Sequence, residues 1–266
     1  MHLSPLDAEL VALTRDHMVP MILGIARIGA CLVWIPYLSP GVMPAKMART
    51  VVAVMMLIGL WPSTVGTAVA MPQDMLSMGG VLLREVLLGT AIGMVVALPF
   101  HIFHGMGAII DNQRGAGVGA MLDPTSGVEA TELANLLQLM AVVVFLATDG
   151  MLVLLEVIQA SYALVPLGGG FDLNVDKLHA YAATLLAGAV RMALPVLLLL
   201  FLVEILLGVL SRFAQQMNPF SISLAVKSLI AFIALLFYLM PTIARQVPQI
   251  RDHADALQML LPVVSP

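Results

Sequence analysis

Three charged residues stand inside long apolar runs of this 266-residue chain: Arg27, Arg191 and Glu204. An ionised side chain at the centre of a bilayer costs about 2.5–3.5 kcal/mol on insertion scales, so each needs a reason. One reason is an ion or proton path. The other is pairing between helices or subunits, at positions that do not face lipid. The second is favoured, because proton relays carry more acids than these runs hold. Arg191 and Glu204 are 13 residues apart, about 20 Å along a helix, so they do not pair within one helix. His101 and His104 are three apart and share a helical face. No Cys, Asp or Glu at suitable spacing joins them before Asp111, so a metal set is not completed. A polar stripe facing protein is the plainer reading.

The densest polar stretch is IIDNQRGAGVG at 109–119. Asp111 and Arg114 are spaced to pair across one helical turn. Gly115, Gly117 and Gly119 then disfavour a helix by about 1 kcal/mol each relative to Ala. They also permit positive φ and close backbone approach. Asp123-Pro124 closes the segment, and Ser126 with Glu129 matches a capping box, which predicts a new helix from about residue 127. The residues alone leave two readings open. One is a solvent loop between two spans. The other is a constriction loop, small-sided and chemically bland, that yields when something passes.

Catalytic apparatus is not visible. Gly115-x-Gly117-x-x-Ala120 has the spacing of a dinucleotide fingerprint but no preceding strand and no βαβ unit. There is no Gly-x-Ser-x-Gly elbow, phosphate-binding loop or paired zinc-ligand helix. Neither cofactor nor metal is expected, and a membrane enzyme would need a nucleophile or metal cluster that is not found.

The elements that carry these residues follow from composition. The chain is 61% hydrophobic and 11% charged, with mean hydropathy +1.02. Soluble domains are about half apolar and a quarter charged. An all-α, polytopic membrane-type protein is therefore predicted, with broken helices and helical hairpins. No polar block is long enough for a separate soluble domain, so residues 1–266 are expected to form one domain. The single Cys31 excludes a disulfide framework, and the net charge of −4 without a basic block argues against nucleic acid. Asp7, Glu9, Arg15 and Asp16 do not make a basic leader, so the first apolar run is expected to be retained. Candidate runs lie at 18–38, 48–62, 81–110, 133–166, 181–210 and 222–244. The fourth is interrupted by Asp149-Gly150, which predicts a helical hairpin or broken helix. The fifth would reach about 45 Å as one helix against a core of about 30 Å, and a bend at Pro195 is expected. Gly89 and Gly93 form a GxxxG suited to close helix contact. Loop charges tie: Lys46, Arg49, Arg114, Arg212 and Lys227 fall on one side, and Arg15, Arg84, Lys177, Arg245 and Arg251 on the other. The positive-inside rule gives no orientation.

Four stretches carry a resemblance. GMGAIIDNQRGAGVGAMLDPTSGVEATELANLL is similar to the signature of the T subunit of the type III secretion export apparatus, whose flagellar counterpart is the R-named export-gate protein. ATDGMLVLLEVIQASYALVP resembles the family's Gly-led helix ending in Ser-Tyr and Pro. ALPVLLLLFLVEILLGVLSRFAQQMNPFSISLAVKS resembles its Arg-Phe-Ala, Gln, Asn, Phe and Lys-Ser pattern, and ARIGACLVWIPYLSPGVMPAKMART its opening Arg, Pro and Arg positions. The family commonly has Pro after Arg-Phe-Ala, where Gln215 stands here. Asn218-Pro219 supplies a break nearby.

The resemblance implies a multi-pass protein of the bacterial inner membrane, assembled with R and S subunits into a helical core that projects towards the periplasm. The U and V subunits and unfolded secreted proteins are its further implied partners. It implies that Gly115, Gly117 and Gly119 form the backbone of a pore plug anchored by Asp111, Gln113 and Arg114. Arg27, Arg191, Glu204, Arg212, Asn218 and Lys227 are expected at subunit contacts. The competing class is a small-solute secondary transporter that uses Arg27, Arg191 and Glu204 as its site.

Overall fold

The computed structural model describes residues 5–38, 45–65, 75–116, 131–168, 175–213 and 219–246. Among them there are seven α-helices, one short 3-10 turn and no strand. The helices are α1 (Pro5–Val33), α2 (Ala45–Val65), α3 (Met75–Arg114), α4 (Glu132–Ala147), α5 (Gly150–Leu164), α6 (Val175–Phe213) and α7 (Pro219–Gln246). The 3-10 turn, Pro36–Leu38, follows α1. Proline opens α7 at its first helical residue, where the missing N–H is one the helix would not use. α6 runs through Pro195 as a single helix of 39 residues, about 58 Å long.

The all-α architecture predicted from composition is what the chain adopts. Among the described residues, three helical stretches are long and apolar enough to cross a membrane: Leu76–Arg114, Ala183–Phe213 and Ile222–Leu239. The broken pair α4 and α5 makes a fourth if counted as one span. α1 and α2 are 29 and 21 residues long and contain the shorter apolar stretches Met18–Val33 and Thr50–Leu60.

The break between α4 and α5 falls where Asp149-Gly150 predicted it. Asp149 takes the left-handed conformation, φ 59° and ψ 27°, which Asp tolerates better than most side chains. Thr148 ends α4, its hydroxyl donating to the Val144 carbonyl at 3.0 Å. The Asp149 carbonyl opens α5 by accepting the Leu152 N–H at 2.9 Å.

The chain divides into two compact units. The first comprises Met1–Ala97, Asp149–Leu178 and Arg251–Pro266. There α1 packs on α2, and α2 on α5. Leu23, Ile28 and Leu32 of α1 and Leu154 and Ile158 of α5 are fully buried at helical spacing. The GxxxG works as its spacing suggests. A Cβ on Gly89 would overlap the Arg27 carbonyl oxygen, and one on Gly93 would meet that of Cys31, so α3 lies directly against the α1 backbone.

The second unit comprises Leu98–Thr148 and His179–Ile250. Phe100, Phe103, Met106 and Ile110 of α3 and Leu133, Leu137, Ala141 and Phe145 of α4 are buried. Phe100 and Phe145 meet edge to face with ring centroids 5.2 Å apart, the arrangement the ring quadrupoles favour. A Cβ on Gly107 would overlap the backbone of Ala134, so α3 and α4 touch main chain to main chain here. That contact lies one turn before Asp111.

Candidate functional site at the base of the glycine segment

Helix α3 ends because its sequence ends it. Gly115 takes φ 83°, and its N–H closes a tight turn onto the Asn112 carbonyl at 3.1 Å. A glycine in this left-handed conformation just past the last turn is the usual way to stop a helix without strain.

Three of the four polar side chains in the last turn of α3 each engage a different helix. Asp111 is 1% exposed. Its Oδ1 pairs with Arg114, 2.8 Å from Nε and 2.7 Å from Nη2. Its Oδ2 accepts the backbone N–H groups of Leu133 at 3.0 Å and Ala134 at 3.2 Å. These belong to the first turn of α4, whose N–H groups have no partner within the helix. Thr131, at the usual capping position, makes no side-chain cap bond. Asp111 thus caps α4 from 22 residues upstream, with its negative charge at the positive end of the helix dipole. Such a cap stabilises by about 1 kcal/mol. It also ties the residue that precedes the glycines to the helix that follows them.

Arg114 reaches the other way. Its guanidinium carbon sits 5.4 Å from the centre of the Phe232 ring on α7, within cation–π range. Gln113 donates to Glu204 Oε2 on α6 at 3.5 Å, the outer limit of a hydrogen bond. Glu204 Oε1 pairs with Lys227 Nζ of α7 at 3.1 Å. Lys227 is nearly buried and Glu204 half-exposed, so the pair adds at most about 1 kcal/mol to stability.

A second polar cluster lies in the first unit. Arg27 is 1% exposed, and its Nε donates to Glu85 Oε2 at 2.6 Å. Its Nη1 donates to the carbonyls of Ser161 at 3.1 Å and Val165 at 3.0 Å, at the C-terminal end of α5. The other Glu85 oxygen accepts the Gly168 N–H at 3.2 Å. The guanidinium also stacks over the Tyr162 ring, 4.4 Å from its centre. Tyr162 in turn donates its hydroxyl to the Gly24 carbonyl at 3.1 Å. One ion pair therefore joins α1 and α3 and caps α5.

Comparison with known sequences gives these clusters a context. A sequence model of the family described as bacterial export proteins, family 1, matches residues 18–253. The chain belongs to that family. It is 34% identical over 235 residues, 88% of either chain, to the surface presentation of antigens protein SpaR of Salmonella typhimurium strain LT2. It is 28% identical over 242 residues to Yop proteins translocation protein T of Yersinia pestis, covering 90% of this chain and 92% of that one. Against the flagellar biosynthetic protein FliR of Escherichia coli K12 it is 29% identical over 164 residues, 60% of this chain and 62% of that one. These relatives bear the names of secretion and flagellar export components, not of enzymes. The chain is a T-type component of a type III secretion apparatus, with several apolar helices suited to a multi-pass inner-membrane protein.

Within this export-family chain the residues singled out by sequence separate clearly. Asp111, Gln113, Arg114, Glu204 and Lys227 come together at the end of α3. Gly115 is the glycine that ends the helix there, while Gly117, Gly119, Ser126, Glu129 and Asn218 lie outside the described residues. Arg27 is enclosed by its own chain. Arg191 and Arg212 are exposed on α6 and make no ion pair among the described residues. The sequence reading missed Glu85, Phe232 and the α4 N-terminus. Glu85 carried a signal, as the only acid between Asp74 and Asp111. Phe232 and the backbone N–H groups carried none, because their roles exist only once α3, α4 and α7 are packed.

Proposed function

We propose that this chain is a core subunit of the export gate in the bacterial inner membrane, where it lines and closes the pore through which unfolded secreted proteins pass. Gly115, Gly117 and Gly119 form the backbone of the plug, and Asp111, Gln113 and Arg114 hold its base. The observation that carries the reading is the Asp111 carboxylate. It binds Arg114 on one oxygen and the first turn of α4 on the other, so a glycine-bearing segment departs from and returns to one fixed point. Small side chains give a threading polypeptide little to catch on, and glycine lets the backbone fold aside and return at low cost.

The R, S, U and V subunits are the partners of this assembly, and the energy for transport comes from other components. The exposed apolar faces of α6 and α7, with Leu198, Phe201, Leu206, Leu236 and Phe237 more than half exposed in the single chain, are buried against sister subunits in a core raised towards the periplasm. Arg191, Arg212 and Asn218 sit at those contacts. A secondary transporter built on Arg27, Arg191 and Glu204 is disfavoured. Arg27 is held by Glu85 and two carbonyls, and Glu204 by Lys227, which leaves no set of open charges for a solute.

Replacing Gly117 with Val tests the plug. In the assembled apparatus, Gly117→Val is expected to change ion leak or secretion by severalfold, with the complex still co-purifying. Unchanged leak and unchanged secretion would remove the assignment.

A further inference from the structure

Helix α7 reaches the base of the glycine segment by two routes. Phe232 lies under the Arg114 guanidinium, which is paired with Asp111. Lys227, five residues earlier, pairs with Glu204 of α6, whose second oxygen faces the Gln113 amide. One carboxylate is thus shared between α7 and the end of α3. Lys227 is the buried member of its pair, at 9% side-chain exposure against 51% for Glu204. Without Glu204, its ammonium would have no anion among the described residues. A pair this open contributes little to folding. It does link α7 to α6, and the Gln113 and Arg114 contacts link the last turn of α3 to both.

We propose that Glu204 and Lys227 are positioning residues of the gate. Their bridge holds α6 and α7 in the one register that keeps the end of α3 closed down on its anchors, so a shift of α7 against α6 loosens the plug. This rests on the reading of the glycine segment as the plug. The helices that carry the pair are also those with the largest exposed apolar faces in the second unit. Packing on those faces from outside is thereby coupled to the state of the gate. Phe232, half-exposed and already carrying Arg114, is the residue most directly affected by a neighbour that settles on α7, since burial strengthens a cation–π contact.

The test is charge reversal and swap in the full chain within its assembled apparatus, with potassium leak, secretion and complex yield read together. Glu204→Lys and Lys227→Glu are each expected to raise leak severalfold at unchanged yield of the complex. The double swap is expected to return leak to within about twofold of the starting protein. Glu204→Gln keeps an oxygen for Gln113 and loses the charge, and it is expected to fall between. A purely structural pair would lower complex yield without specific rescue of leak by the swap. If reversal blocks assembly, Glu204→Gln and Lys227→Met carry the same expectation. Leak at the starting level in the single variants, or a swap that leaks as much as they do, overturns the proposal. Gly117→Val in parallel separates the two layers. If it changes leak or secretion while the charge variants leave leak unaltered, the plug stands and the positioning role falls. If neither set has any effect, the plug reading falls too.

Discussion

Arg27–Glu85 and Asp111–Arg114 are both ion pairs with at least one member fully buried, yet they are built for different ends. In the first unit both partners are sealed, at 1% and 2% side-chain exposure, and their remaining hydrogen-bonding capacity is largely spent on fixed backbone at the end of α5. The helices around them lack the space to shift, since Gly89 and Gly93 lie directly on the α1 backbone. In the second unit's pair only Asp111 is sealed. Arg114 is 14% exposed, Gln113 makes a long contact, Glu204 is half-exposed, and a glycine in the left-handed conformation follows at once. Low dielectric and dense hydrogen bonding, with only Arg27 Nη2 lacking a partner, make the first cluster rigid. Graded exposure around one buried carboxylate makes the second a fixed point with adjustable surroundings. Charge in an apolar chain therefore marks two different settings, a sealed lock and a partly open anchor, and the neighbours decide which.

The sharpest way to break the comparison is to unseal the lock. Glu85→Ala leaves the Arg27 guanidinium buried without its anion, a change that costs about 3–5 kcal/mol. The expected result is a large drop in the amount of folded chain in the membrane and in its thermal stability in detergent, with assembly lost accordingly. A stable, assembled and leaky variant would mean that this cluster, too, belongs to the gate. Asp111→Ala is the counterpart in the second unit. It removes a cap worth about 1 kcal/mol and frees Arg114, so folded yield is expected to fall modestly while ion leak rises severalfold. Asp111→Asn, which retains one acceptor for the α4 N–H groups, is expected to keep more of the yield than of the seal. Equal losses of yield in Glu85→Ala and Asp111→Ala would erase the distinction between the two clusters.

The fold class was legible because hydrophobic content at this level leaves few options. Asp149-Gly150 was legible because an acid and a glycine inside an apolar run have no place in a continuous helix. Glycines after Arg114 gave away the end of α3, and the GxxxG gave away the α1–α3 approach. What covers the apolar helices was not legible. Apolarity measures what a surface avoids, which is water, and does not separate lipid from protein as its cover. The site was half legible. Asp111 and Arg114 announced their pairing by spacing, whereas Asp111 as the cap of α4 depends on two backbone N–H groups more than 20 residues away, which no local pattern encodes. Glu204 and Lys227, expected at contacts with other subunits, face each other across α6 and α7.

The central claim is that the segment leaving Asp111 stands in the path of exported chains. A cysteine at Val118, between Gly117 and Gly119, with Cys31 buried in the first unit, places a cross-linker at that point. The measurement is cross-linking to a secretion substrate stalled during export, compared with a cysteine at Leu83 on the exposed face of α3. The account predicts a substrate adduct at 118 and none at 83. An equal adduct at both positions, or none at 118 while substrate is demonstrably stalled in the apparatus, would contradict it.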